Sequence, residues 1–245
     1  MNEIAIENIR NYCKELKLGT NIVKSIGTIK AESHEEFLAK ILEIEIKHRE
    51  TKRKDRYLKQ AGFDVVKTFE NYTFDHIEIP ASIEIDDLKS VAFARRKENL
   101  ILYGPVGTGK THLATAIGVA ACMNSMKVKF YRTAALVNEL IDAKNNGTLK
   151  KLLKQIEQAD LLVCDEWGYI PIDIDGAKLL YQVIAGCYEK KSIILTTNLE
   201  FSKWNNIFFD KKLTNAIIDR MVHHSHLITF NGPSYRLQNS LMKYN

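Results

Sequence analysis

Residues 99–112 read NLILYGPVGTGKTH, and this stretch decides the fold. The first five are apolar enough to be a strand buried in a sheet. They run straight into Gly104-Pro105-Val106-Gly107-Thr108-Gly109-Lys110-Thr111, a full G-x-x-x-x-G-K-T, and a helical pattern opens at His112 and runs to Cys122. Strand, glycine loop and helix in this order form the setting that the phosphate-binding loop requires. Glycines let the backbone curl so that successive N–H groups point inward at phosphate oxygens. The following helix adds a partial positive charge of roughly +0.5 at its start. Lys110 then neutralises the β- and γ-phosphates of a nucleotide and the Thr111 hydroxyl ligates Mg²⁺. Gly104 through Thr111, with His112, are the expected contacts to ATP. The plain alternative, a tight turn with an exposed lysine, does not call for the flanking strand and helix.

Downstream, Leu161-Leu162-Val163-Cys164 ends in Asp165-Glu166. A buried strand would carry both carboxylates at its C-terminal tip, where ligand sites form in α/β sheets. Asp165 is the expected second metal group, and Glu166 the residue that orients the attacking water in phosphoryl transfer. Asn198 ends the next strand, LTTN, and can reach the γ-phosphate or that water; strand ends also carry Asn simply to begin a turn. Strands are expected at 99–103, 127–132, 160–164, 192–197 and 226–230, with helices near 83–95, 110–123, 133–144, 148–158, 174–189 and 211–223. This alternation predicts a five-stranded parallel sheet with helices on both faces.

Upstream, Ile6, Ile9, Cys13 and Leu16 recur at helical spacing. Ser33-x-x-Glu36 is a capping box opening a second helix whose apolar side carries Phe37, Leu38, Ile41, Leu42 and Ile46. The expected division is a helical N-terminal domain over 1–62, a linker over 63–82 and an ATPase domain over 83–245.

Net charge is +5, and KHRETKRKDRYLKQ at 47–60 holds seven Lys/Arg against two acids, so this one segment accounts for the whole excess. Arg49, Lys52, Arg53 and Arg56 share one helical face. Such a face supplies phosphate affinity without sequence specificity; it can equally be solvated or dock on an acidic protein. No apolar run approaches the roughly 18 residues of a membrane span, and the start lacks the marks of a signal peptide. Four scattered cysteines suit reduced, buried thiols in a cytoplasm. His223-His224-Ser225-His226, a helix end followed by a strand, is expected to send its rings in different directions, with no acid or cysteine nearby and hence no metal.

The three motifs in order resemble the AAA+ ATPases. The segments DLLVCDEWGYIPIDI (160–174), ILTTNL (194–199), Phe201-Ser-x-Trp204, AI-x-DRM-x-HH (216–224) and SYRL (234–237), with Phe37–Arg49 and KTFENYTF (67–74) upstream, are similar to the IstB-like transposition helpers. That resemblance implies an ATPase that assembles with ATP on duplex DNA and recruits or stimulates a transposase; a DnaC-type helicase loader is the alternative. It implies a homo-oligomer with ATP between subunits. Arg220 matches the arginine that reaches the neighbour's ATP, a permanently charged fork suited to γ-phosphoryl oxygens. Arg236 matches a second sensor. About fifteen residues follow Phe230, so the helical lid common in AAA+ proteins is expected to be mostly lacking, as in the IstB and DnaC groups. A nucleotide-gated scaffold that scarcely turns ATP over fits Glu166 and Arg220 poorly, and a small-molecule kinase would need an acceptor pocket with no matching segment.

Overall fold

The computed structural model describes residues 3–70 and 72–240; readings that touch Met1, Asn2, Asn71 or 241–245 lie outside the described residues. The chain divides into two compact units, Met1–Arg56 and Tyr57–Asn245. The division falls within one helix, a few residues before the boundary expected from sequence.

The smaller unit holds α1 (Glu3–Glu15), α2 (Asn21–Ser25) and most of α3 (His34–Ala61). Cys13, Ile22 and Ile41 are its buried centre, with Ile9, Leu18, Val23 and Phe37 packed around them. The Ser33 hydroxyl accepts the Glu36 N–H at 3.1 Å. The Glu36 carboxylate reaches back to the Glu32 N–H at 2.7 Å, one residue beyond the expected capping-box partner.

In the larger unit β1 (Ile77–Glu78) is followed by α4 (Ile85–Ser90), α5 (Ala92–Arg95), β2 (Asn99–Tyr103), α6 (Lys110–Met123), β3 (Val128–Arg132), α7 (Thr133–Asn145), α8 (Leu149–Glu157) and β4 (Leu161–Trp167). Then come α9 (Ile174–Cys187), β5 (Ser192–Thr197), α10 (Asn205–Phe208), α11 (Lys211–His223), β6 (Ser225–Phe230) and α12 (Tyr235–Gln238). The sheet order is β1-β6-β2-β5-β4-β3. β2 to β6 are parallel to one another, and among the described residues β1 alone pairs antiparallel, with β6, Ile77 opposite Phe230. The sheet therefore has six strands where five were expected. A two-residue strand is too short to show a period of two, so nothing in the letters announces it. The helix expected at 83–95 is two, α4 and α5, because Val91 between them is left-handed (φ 60°).

Alternation along each strand divides the core into two layers. Leu162 and Cys164 of β4, Ile193 and Leu195 of β5 and Ile101 of β2 face α7, α8, α9 and α11. Leu161, Val163, Ile194, Leu100, Leu102, Ile228 and Phe230 face α4, α5 and α6. Near-continuous apolar strands are thus buried on both faces, as in a parallel sheet covered by helices. The irregular stretch 63–82 packs on the second layer through Phe63, Phe69, Tyr72 and Phe74. Among the described residues only α12 follows β6.

Candidate active site

The sheet order sets β5 between the strand that feeds the glycine loop and the strand that carries the acids. Tyr103 of β2 lies opposite Thr197 of β5, and Thr197 lies opposite Trp167 of β4. Three neighbouring C-terminal strand ends therefore bring Gly104, Asn198 and Asp165-Glu166 to one edge, the edge where such sheets bind ligands.

The loop has the expected glycine chemistry. A side chain at Gly104 (φ 150°) would meet the Phe230 carbonyl at 2.4 Å, and one at Gly107 (φ 83°) would meet Ser234 Oγ at 2.1 Å. Lys110 is buried, and its Nζ donates to the carbonyls of Gly104 and Pro105 at 2.7 and 2.6 Å. Burial lowers the Lys110 pKa to about 8; the Asp165 charge opposes the drop and Arg236 adds to it. Thr108 Oγ1 closes the loop on the Pro105 carbonyl at 2.8 Å, while Val106 stands exposed.

Asp165 is 2% exposed. Thr111 Oγ1 donates to its two carboxylate oxygens at 3.0 and 3.1 Å, Thr196 Oγ1 donates to Oδ1, and Thr133 Oγ1 donates to its backbone carbonyl at 2.8 Å. Its neighbour is placed by a bulge. Cys164 pairs with Leu195 but Trp167 with Thr197, so β4 holds one extra residue, and Glu166 takes φ 58°. In unbroken register Glu166 would point toward α7 and α9, into the apolar layer. The bulge turns it out to solvent and gives that place to Trp167, fully buried against Trp204 and Phe208. The Glu166 N–H donates to Thr196 Oγ1 at 3.0 Å. One hydroxyl thus holds both acids, accepting from the backbone of one and donating to the carboxylate of the other.

Asn198 Oδ1 is buried without a hydrogen-bond partner, an acceptor at the site edge between the acids and the loop. The His112 ring is engaged from the side, by the Thr68 carbonyl at 3.1 Å and the Tyr72 ring at 4.8 Å. α12 docks on the loop through the Tyr235 N–H, which donates to the Gly107 carbonyl at 3.0 Å. This brings Arg236 close enough to depress Lys110 and to be felt, with Glu166 and Asp165, at Tyr169. Arg132, at the tip of β3, pairs with Asp64 at 2.6 Å, and the Glu166 charge reaches it as well.

Two groups of expected site residues have contacts of their own. Arg220 on α11 makes its contacts with the Ala216 carbonyl at 3.0 Å and the Tyr181 ring at 5.0 Å. On α3, Arg49 is tied to buried Glu45 at 2.7 Å and to the Lys17 carbonyl at 2.9 Å, so it serves a structural ion pair. Lys52, Arg53 and Arg56 lie exposed on the same helix. Sequence reasoning missed Thr196, Thr133 and Tyr72. Thr196 had a signal, a hydroxyl two residues before the tip residue Asn198 on the strand next to the acids.

A parallel sheet in this order, with the glycine loop after β2 and paired acids two strands away, defines a P-loop nucleoside triphosphatase domain of the AAA+ type. The family of IstB-like ATP binding proteins matches residues 19–243, and the chain belongs to it. The ATP-binding protein named for insertion sequence IS232 of Bacillus thuringiensis subsp. berliner is 39% identical over 210 residues, 86% of this chain and 84% of its own length. That of IS5376 from Geobacillus stearothermophilus is 36% identical over 239 residues, 95% and 94% of the two chains. Among solved structures, the DnaC helicase loader has a TM-score of 0.53 at 22% identity, covering 71% of this chain and 98% of its own. AMPPCP-bound DnaA from Aquifex aeolicus reaches 0.54 at 19%, covering 69% and 51%. These two share the fold. No described helix is long and apolar enough to cross a membrane.

Proposed function

We propose that this chain is an ATPase that assembles on duplex DNA and recruits or stimulates the transposase of its own mobile element. The observation that carries the reading is the convergence of Lys110, Thr111, Asp165, Glu166 and Asn198 at one sheet edge in a chain whose relatives are named for insertion sequences.

The residues divide the work as their chemistry dictates. The loop N–H groups and Lys110 bind the phosphates of ATP, and the Lys110 ammonium exchanges the Gly104 and Pro105 carbonyls for phosphate oxygens. The Thr111 hydroxyl and the Asp165 carboxylate form an all-oxygen donor pair suited to Mg²⁺. When bound, that ion neutralises charge on the β- and γ-phosphate oxygens. Glu166, turned out of the core by the bulge, accepts a hydrogen bond from water and orients it; Asn198 Oδ1 offers a second acceptor for the same water. Arg236, carried by α12 beside the loop, faces the phosphates. Arg220, whose contacts within the chain are the Ala216 carbonyl and the Tyr181 ring, acts on the ATP of an adjoining subunit. Lys52, Arg53 and Arg56 supply phosphate contacts to DNA, with Arg49 holding their helix.

The experiment follows assembly by light scattering as duplex DNA and ATP are added to wild type and Glu166→Gln. DNA-dependent assembly in both, with turnover in wild type alone, supports the reading. If neither assembles with DNA, it falls. Pull-down of a replicative helicase in place of a transposase would make the chain a loader.

A further inference from the structure

We infer that Glu189, His223 and His224 form a binding site for a borderline divalent transition metal, Zn²⁺ in the first instance, on the face of α11 that carries Arg220. The sequence reading sent these histidines apart and found no acid near them; the structure corrects both points. His223 is the last residue of α11, and His224 leaves the helix with φ −124° and ψ 36°. Its ring therefore folds back to 4.0 Å from that of His223 instead of standing a helical step away. The acid comes from 35 positions before His224. Glu189 follows the end of α9 in a left-handed conformation (φ 56°), and its Oε1 lies 3.5 Å from His224 Nε2. One ligand atom from each of the three residues falls within 4.8 Å of the others, and all three side chains are exposed, so an ion has open access and small side-chain rotations close the three donors onto it. His226 takes no part; its ring is held by Ser82 and Glu98.

The donor set selects the ion. Two imidazoles and one carboxylate suit Zn²⁺, Co²⁺ or Ni²⁺, whereas Mg²⁺ and Ca²⁺ prefer oxygen ligands throughout. Three protein ligands leave at least one position for water or for a donor from another molecule. An outer partner is in place as well. The Tyr188 hydroxyl lies 2.7 Å from His223 Nδ1, the kind of hydrogen bond that fixes the ring of a ligating histidine. A metal on Nε2 would keep this contact, and one on Nδ1 would replace it.

Such an ion would tie the turn after α9 to the end of α11. Arg220 lies three residues before His223, hence on the same helical face, and its charge and that of Asp219 are felt at the Tyr188 hydroxyl. Metal occupancy would therefore fix the helix end that presents Arg220 and add a cation beside it.

The test titrates Zn²⁺ into the untagged, nucleotide-free full chain by calorimetry, and follows Co²⁺ by its visible d–d absorption. Expected are one Zn²⁺ per chain and a Co²⁺ spectrum of low coordination number. Both weaken about tenfold or more in His223→Ala, His224→Ala and Glu189→Gln and persist in Asp165→Asn, which removes the oxygen site beside the loop. Absence of Zn²⁺ binding in wild type overturns the inference. So does equal binding by the His223→Ala/His224→Ala double variant, or loss of binding in Asp165→Asn.

Discussion

Replacing Thr196 by Val tests the claim that one hydroxyl positions both acids. The substitution keeps the volume of a 2%-exposed side chain on β5, so no cavity opens. It removes the donor to the Asp165 carboxylate and the acceptor of the Glu166 N–H. A hydrogen bond to a charged group contributes about 1.5–3 kcal/mol, and an orphaned, part-buried N–H costs about 1 kcal/mol. Asp165 retains both contacts from Thr111, which places the expected net loss near 2–3 kcal/mol. For a chain of this size that is a fall in Tm of about 5–10 °C. Turnover should fall more than binding does. With its N–H released, the bulge relaxes and Glu166 shifts, and a displacement of about 1 Å can cost on the order of 100-fold in rate. Lys110 and the loop are untouched, so ATP affinity should hold. Thermal melting, nucleotide titration and phosphate release on the same preparation supply the three numbers. A variant that melts within a degree of wild type would refute the energetic argument. One that melts lower yet turns over at the wild-type rate would refute the positioning argument.

Gly107→Ala should abolish nucleotide binding in a direct titration. It forces a side chain into φ 83° against Ser234, at a cost of about 1–3 kcal/mol, and Ser234→Gly should relieve the clash without restoring the loop. Lys110 gives a pH signature. Between about 8 and its ordinary 10.5, the folded chain has released a proton that the unfolded chain still holds, so its stability rises with pH. Lys110→Met should therefore melt above wild type at neutral pH, with the gap narrowing through that window; a constant gap would contradict the burial argument. Arg220→Ala should lower turnover by about 10³-fold or more if it acts as an arginine finger, while leaving ATP binding and Tm near wild type.

The glycine loop and the parallel sheet were legible because each rests on a long, regular pattern: apolar runs ending in turn or polar residues, with helical periodicity between them. What stayed hidden is carried by single dihedral angles or by distant partners. LLVCDEW reads as one unbroken strand, and no letter in it marks the bulge at Glu166 that decides which acid is buried. Thr196 and Thr133 matter only once β5 and α7 lie beside Asp165. Ile77–Glu78 is too short to read as a strand, and the partner that ties down Arg49 could equally have been solvent. Glu189 reaches the paired histidines only because two helix ends meet.

The contact between α12 and the glycine loop has a thermodynamic corollary. Because the Tyr235 N–H bonds to the Gly107 carbonyl and Ser234 occupies the space where a loop side chain would stand, the carboxyl-terminal turn and the phosphate cradle share one free-energy balance. Linkage is reciprocal. Whatever tightens the loop must firm α12 to the same degree, and any load placed on α12 is felt as a change in nucleotide affinity.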